Sequence, residues 1–208
     1  MIHLSTNNEV YCSDGAGGSA THIIANSVNH QITHLVVISN LPPFFEYLVP
    51  VDQVEEVTPD LIKLKCTRND LNEMEPFVHT DYINTKYPED PDSPYVSPFR
   101  GMGILTEDTY PHIPVTHQNI PQGESALRYG ARVEATNGYV GQVDELLVNS
   151  KTMQLTHLVL LERHIFKNRE ITIPVSQIDH VFEDTVYLKL DQQSVEALPS
   201  TPFQRRSQ

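Results

Sequence analysis

The chain has 208 residues, 39 % of them hydrophobic, and a formal net charge of −13. That length holds one large domain or two small ones. The acid excess argues against a nucleic-acid backbone as partner, because polyanion binding draws on clustered Lys and Arg.

The charge is uneven. Residues 1–75 carry 3 basic and 10 acidic side chains, residues 76–125 carry 2 and 7, and residues 126–208 carry 9 and 10. Only the last third is near neutral, so an anionic surface would have to be met there. Cys12 and Cys66 are too few for a disulfide framework and read as buried free thiols. The start, Met1-Ile2-His3-Leu4-Ser5, has no basic region leading into an apolar run. No apolar stretch approaches the ~20 residues a membrane helix needs. The expectation is a cytoplasmic protein with no membrane span and no cofactor.

In chain order, residues 1–75 read as a first unit of short strands. Tyr11-Cys12 runs into the turn Ser13-Asp14-Gly15, and Gly15 to Gly18 is the most glycine-dense point. Thr21–Ala25 is β-branched and apolar, and Asn26–His30 is a polar turn. Gln31–Ile38 reads as a buried strand, broken by Leu41-Pro42-Pro43. Tyr47–Pro50, Gln53–Val57 and Leu61–Leu64 follow as strands, then a short helix over 69–75 is stopped by Pro76. Residues 76–129 hold 8 of the 15 prolines. No periodicity persists there, so the segment reads as an acidic connector with extended stretches. Its Tyr, Ile, Phe and Met content predicts that much of it packs on the rest. Residues 130–199 are a second unit, with a final helix over Gln192–Leu198 capped by Asp191. Residues 200–208 read as a disordered tail.

The two units are copies. Positions 10–38 and 133–161 align without a gap, with 10 identities in 29. Gln31-Ile32-Thr33-His34-Leu35-Val36 matches Gln154-Leu155-Thr156-His157-Leu158-Val159. One residue of insertion later, Pro50-Val51-Asp52-Gln53 matches Pro174-Val175-Ser176-Gln177. The preserved order of features points to an internal duplication. Asp14-Gly15 and Asn137-Gly138 are dipeptides that type I′ hairpins favour. Gly18 and Gly141 fall where a strand bends or another backbone comes close. Alternation lost at Asp144-Glu145 predicts a bulge. Each copy reads as about six short strands with one capping helix, the pattern of a small β-barrel.

The second copy resembles a PRC-barrel domain. The matching stretches are Gly130-Ala131-Arg132-Val133 through Asn137-Gly138-Tyr139-Val140-Gly141-Gln142-Val143, then Thr156–Leu160, Ile171–Ile178 and Val186–Leu188. The family takes its name from the cytoplasmic part of the photosynthetic reaction centre H subunit and includes a domain of a ribosome maturation factor. The first copy matches more loosely. There Ala16-Gly17 replaces the usual apolar residue, and Leu41-Pro42-Pro43-Phe44-Phe45 alters a loop. The resemblance implies an all-β fold of two tandem small SH3-like (PRC-type) barrels with short capping helices and a proline-rich connecting segment. It implies docking on protein partners or help in assembly, with no catalytic residues.

Candidate chemistry is sparse. His112 and His117 stand five apart in what reads as a proline-containing loop, with no cysteine to complete a structural zinc site, so no metal is assigned. Asp14-Gly15-Ala16-Gly17-Gly18 opens a strand, whereas a phosphate loop opens a helix. Glu89-Asp90-Pro91-Asp92-Ser93 lacks the Gly and distal Glu of a calcium loop. His34 and His157 are repeated; they read as packed rings or as a pH-sensitive pair between the copies. Arg163, His164, Phe166, Lys167 and Arg169 form a basic cluster after the central strand of the second copy. Phe44 and Phe45 occupy the corresponding loop of the first. Together these seven are the candidate partner-binding residues. The reading is a non-enzymatic interaction or assembly module with a protein partner, a second copy of the chain included. Two rivals remain. One is a hydrolytic or metal-dependent site between the barrels using Asp108, His112 and His117. The other is a ribosome- or RNA-associated assembly factor.

Overall fold

In the computed structural model the described residues are 2–4, 8–42, 44–58, 61–84, 112–149, 151–163 and 168–202. They form an all-β protein that divides into two compact units. One comprises residues 1–77 and 120–208, the other Val78–Asn119.

The larger unit contains both copies. The first contributes β1 (Ile2–Leu4), β2 (Glu9–Cys12), β3 (Gly15–Asn26), β4 (Ile32–Ser39), β5 (Glu46–Pro50), β6 (Val54–Val57), β7 (Leu61–Leu64) and helix α1 (Arg68–Asn72). In the smaller unit β8 (Val78–Asn84) pairs antiparallel with β9 (His112–Gln118), all seven residues of each strand in register. The second copy contributes β10 (Glu124–Arg128), β11 (Arg132–Ala135), β12 (Gly138–Asn149), β13 (Gln154–Arg163), β14 (Asn168–Pro174), β15 (Ile178–Phe182), β16 (Thr185–Leu188), helix α2 (Gln192–Glu196) and β17 (Ser200–Pro202).

The two sheets of the larger unit repeat one order. The first runs β5-β4-β3-β2-β7-β6, and the second runs β17-β14-β13-β12-β11-β16-β15. Both are open paths among the described residues, with β2 and β11 each lying parallel to the strand beyond. The long strands β3 and β12 slip register at the same place, Thr21 in one and Asp144 in the other. The expected bulge therefore exists in both copies and coils each strand.

Gly18 and Gly141 show why glycine recurs. Each has φ +151°, and an added Cβ would lie 1.9 Å from the Ile38 carbonyl oxygen at one site and 2.6 Å from that of Leu161 at the other. Two backbones cross there with no room for a side chain.

The hairpin expectation needs correction. The central turn residues are Ser13-Asp14 and Thr136-Asn137, and none has a positive φ, so the turns are not type I′. The asparagine and aspartate serve the helices instead. Asp14 Oδ1 accepts from the Arg68 amide at 2.9 Å, and Asn137 Oδ1 accepts from the Gln192 amide at 2.9 Å. Those amides open α1 and α2, whose first-turn donors lack partners within the helix. Thr67 and Asp191 cap the following turn, Thr67 in a reciprocal box with Asp70. Because the box begins α1 at Arg68 and Glu73 ends it, the helix stops short of Pro76.

The copies are joined by exchange of their first strands. β1 pairs antiparallel with β12, placing Ile2 opposite Val148. β10 pairs antiparallel with β3, placing Ser125 opposite Ala25. An offset of 123 residues converts one pairing into the other. The same offset relates the bonds at the junction. The Ile32 amide donates to Met153 and the Leu155 amide to His30. Gln31 Nε2 donates to the Thr152 carbonyl and Gln154 Nε2 to the Asn29 carbonyl, both at 2.7 Å. A pseudo-two-fold axis thus passes between Gln31 and Gln154. One continuous apolar core, from Val10 and Ile23 to Leu158 and Val195, runs through both copies.

Residues 124–128, at the end of the proline-rich segment, are thus a strand of the larger unit. In the smaller unit Pro114 lies within β9 opposite Tyr82. Among the described residues the ribbon has two strands, each with an outer edge, where a missing donor is tolerated. This ribbon carries no apolar alternation that a sequence could announce. Residues 85–111, including the acidic stretch Glu89–Ser93, lie outside the described residues. Of the expected tail over 200–208, Ser200–Pro202 instead form β17 against β14, and the residues after 202 lie outside the described residues.

Candidate functional site

The seven candidate contact residues fall at the ends of matching strand pairs, β4–β5 and β13–β14. In the first copy the connection is a tight turn. The Ser39 amide donates to the Phe45 carbonyl at 3.0 Å and the Phe44 amide to the Leu41 carbonyl at 2.9 Å, which forces Phe44 to φ +59°. Phe44 and Phe45 are each 56 % exposed, and Phe45 meets Tyr47 only edge-on at 6.5 Å. A positive φ on a bulky residue is a strained geometry.

In the second copy His164, Phe166 and Lys167 lie outside the described residues. Arg163 ends β13 opposite Asn168. Arg169 is half-buried, and its Nη2 donates to Ser200 Oγ at 2.7 Å, tying β14 to β17. Arg169 is therefore at least partly structural, which its place in a basic cluster did not signal.

The repeated histidines sit on equivalent strand positions, His34 opposite Pro50 and His157 opposite Pro174. Their surroundings differ. His34 Nδ1 lies 3.1 Å from Thr33 Oγ1 and 3.6 Å from Glu124 Oε2, a carboxylate on the exchanged strand of the other copy. Thr33 also donates to that carboxylate at 2.6 Å. His157 Nδ1 is buried and has no hydrogen-bond partner among the described residues. The offset that maps His34 onto His157 maps Glu124 onto Met1, which has no carboxylate.

A shallow cleft of about 50 Å³ opens beside the junction, lined in part by Ser27, His30, Ser125, Asp179 and His180. Its serines hydrogen-bond each other at 2.9 Å, and among the described residues neither bonds an imidazole. His180 stacks on Tyr187 at 4.5 Å and holds Asp179 at 2.8 Å. Serine, histidine and aspartate are close here without the nucleophile–base contact that acyl transfer requires.

His22 was not singled out from sequence. It is 9 % exposed, and its ring lies 4.9 Å from that of the fully buried Phe77. Burial holds its pKa below the ordinary histidine value, with Glu46 and Asp184 opposing the shift and Arg128 adding to it. The thiols of Cys12 and Cys66 are buried as expected. Burial, then the neighbouring Cys66, pushes Cys12 up to about 12, so it is no nucleophile.

Of the rival catalytic set, Asp108 lies outside the described residues. His112 and His117 are not loop residues but stand at positions 1 and 6 of one strand, β9.

What these observations define is a class: an all-β protein built from two similar sheets with exchanged first strands. Its described helices include none long and apolar enough to cross a membrane. No protein-family model matches the chain, and no curated protein matches it.

Proposed function

We propose that the chain is a non-enzymatic interaction or assembly module of PRC-barrel type, its two sheets acting as tandem SH3-like barrels. The observation that carries this reading is the contrast between junction and loops. The junction's polar groups are spent on each other, through Gln31, Gln154 and the backbone around them. The strand ends beyond β4 and β13 diverge in sequence, and one presents two half-exposed phenylalanines. Apolar rings on a turn braced by backbone hydrogen bonds are suited to partner contact, because little ordering entropy remains to be lost on binding. The matching loop, with Phe166 among Arg163, Lys167 and Arg169, suits an acidic protein surface, a second copy's first half included.

The test is affinity capture from native cytoplasm with wild type, Phe166→Ala and a Phe44→Ser/Phe45→Ser double variant. Loss of the same partners in both variants supports the reading. Recovery of the same partners in the same amounts by both removes these loops from the interface.

A further inference from the structure

The ribbon formed by β8 and β9 places three metal-ligating side chains on one face. His79 and His117 are directly opposite each other across the ladder. Cross-strand partners project to the same side, with Cβ atoms about 4.5–5.5 Å apart. Asp81 lies two residues beyond His79 on the same strand, so it shares that face and stands diagonally from His117. The side chains already meet. His79 Nε2 is 3.0 Å from Asp81 Oδ1, and His117 Nε2 is 4.0 Å from Asp81 Oδ2. One carboxylate oxygen therefore meets His79, while the other lies within ion-pair reach of His117 without touching it.

We propose that His79, Asp81 and His117 form a binding site for a divalent transition-metal ion, with Zn²⁺, Ni²⁺ and Cu²⁺ as the class of ligand. The site goes beyond the interaction module and does not depend on it. Among the described residues no three such side chains stand at ligand spacing as they are. Closure needs only side-chain rotation. All three are 57–59 % exposed, so no packing opposes the movement. Two imidazole nitrogens at about 2.0–2.1 Å and one carboxylate oxygen make a three-ligand set that leaves a position for water. Nitrogen donors favour these ions over Mg²⁺ and Ca²⁺, which take oxygen ligands. Imidazoles bind a metal through a deprotonated nitrogen, so ion binding at this site would release protons.

An ordinary exposed ion pair would bind protons and no metal. The full chain is titrated with ZnCl₂ at pH 7.5 by calorimetry, alongside His79→Gln, His117→Gln, Asp81→Asn and His180→Gln. The expected result is one saturable equivalent. It weakens roughly tenfold or more in either ribbon histidine variant, less in Asp81→Asn, and not in His180→Gln. In the wild-type chain, substoichiometric Ni²⁺ should broaden amide resonances of Val78–Asp81 and Val115–Gln118 before others. Absence of saturable binding, wild-type affinity in any of the three ribbon variants, loss in His180→Gln, or broadening centred elsewhere overturns the site.

Discussion

The two copies share a backbone plan and differ in what they place upon it. On the outer side of the first sheet Ile24, Val36, Leu48, Phe77 and Ala126 form a second small apolar cluster, with His22 against Phe77. At the positions of His22 and Phe77 the second copy has Glu145 and Thr201, so no ring–ring contact can form there. Inside, the first copy has Cys12 facing Gly17, where a Cβ would lie 2.7 Å from Sγ. The second has Ala135 and Val140 at those positions. One copy places its volume on the strand before the turn, the other on the strand after it. The departure at Gly17 is thus half of a compensated exchange, and the lesson is that a duplicated fold tolerates divergence where volume is conserved between neighbours.

Substitutions at the shared glycines should break the common plan most severely. Gly18→Ala is expected to destabilise by roughly 3 kcal/mol or more, and Gly141→Ala by somewhat less, because its carbonyl neighbour is farther away. Urea unfolding of both variants checks the order; equal midpoints would mean the first crossing relaxes. Phe77→Ala comes next. Removing this fully buried ring from the small outer cluster should cost about 2–3 kcal/mol, at or below the low end for a buried ring. The loss should fall on the first sheet, read by hydrogen exchange of β4 and β5 amides against β13 and β14.

A double-mutant cycle sharpens the volume argument. Gly17→Ala alone should clash with the Cys12 sulfur, and Cys12→Ala alone should leave a void. The double variant should be more stable than the sum of the two by about 1 kcal/mol. Strict additivity would show that the two positions do not share space.

The smallest effect concerns acid. His22 has its folded pKa depressed by burial, so the unfolded chain binds the proton more readily. Its contribution is fully present above the unfolded value of about 6.5 and is lost as pH falls through and below it. The urea midpoint should drop between pH 7.5 and 5.5, and less so in His22→Leu. An identical drop in the variant would assign the acid sensitivity elsewhere.

Much of the strand plan was legible because duplication doubles the signal. Gly18 and Gly141 marked a backbone crossing, Asp144-Glu145 a bulge, and Asp191 a helix cap, each through a local steric or hydrogen-bonding rule. The turn at Asp14 misled because its side chain answers α1, a helix more than 50 positions away. The ribbon was hidden because Pro114 and mixed polar residues look like a connector when nothing nearby demands alternation. For the same reason His117 was paired in sequence with His112, although its partner across the ladder is His79.

By itself the sequence determined the repeat, the all-β class, the glycines and the buried strands Gln31–Ile38 and Gln154–Leu161. Those depend on contacts near in sequence or on steric rules that a residue type carries with it. Only the tertiary structure decided that the copies exchange their first strands and that Glu124 reaches His34 while His157 Nδ1 has no partner among the described residues. It alone brought His79, Asp81 and His117 to one face. Each of those depends on which strand lies beside which, and hydrogen-bonding edges are alike along the whole backbone, so composition cannot choose among them.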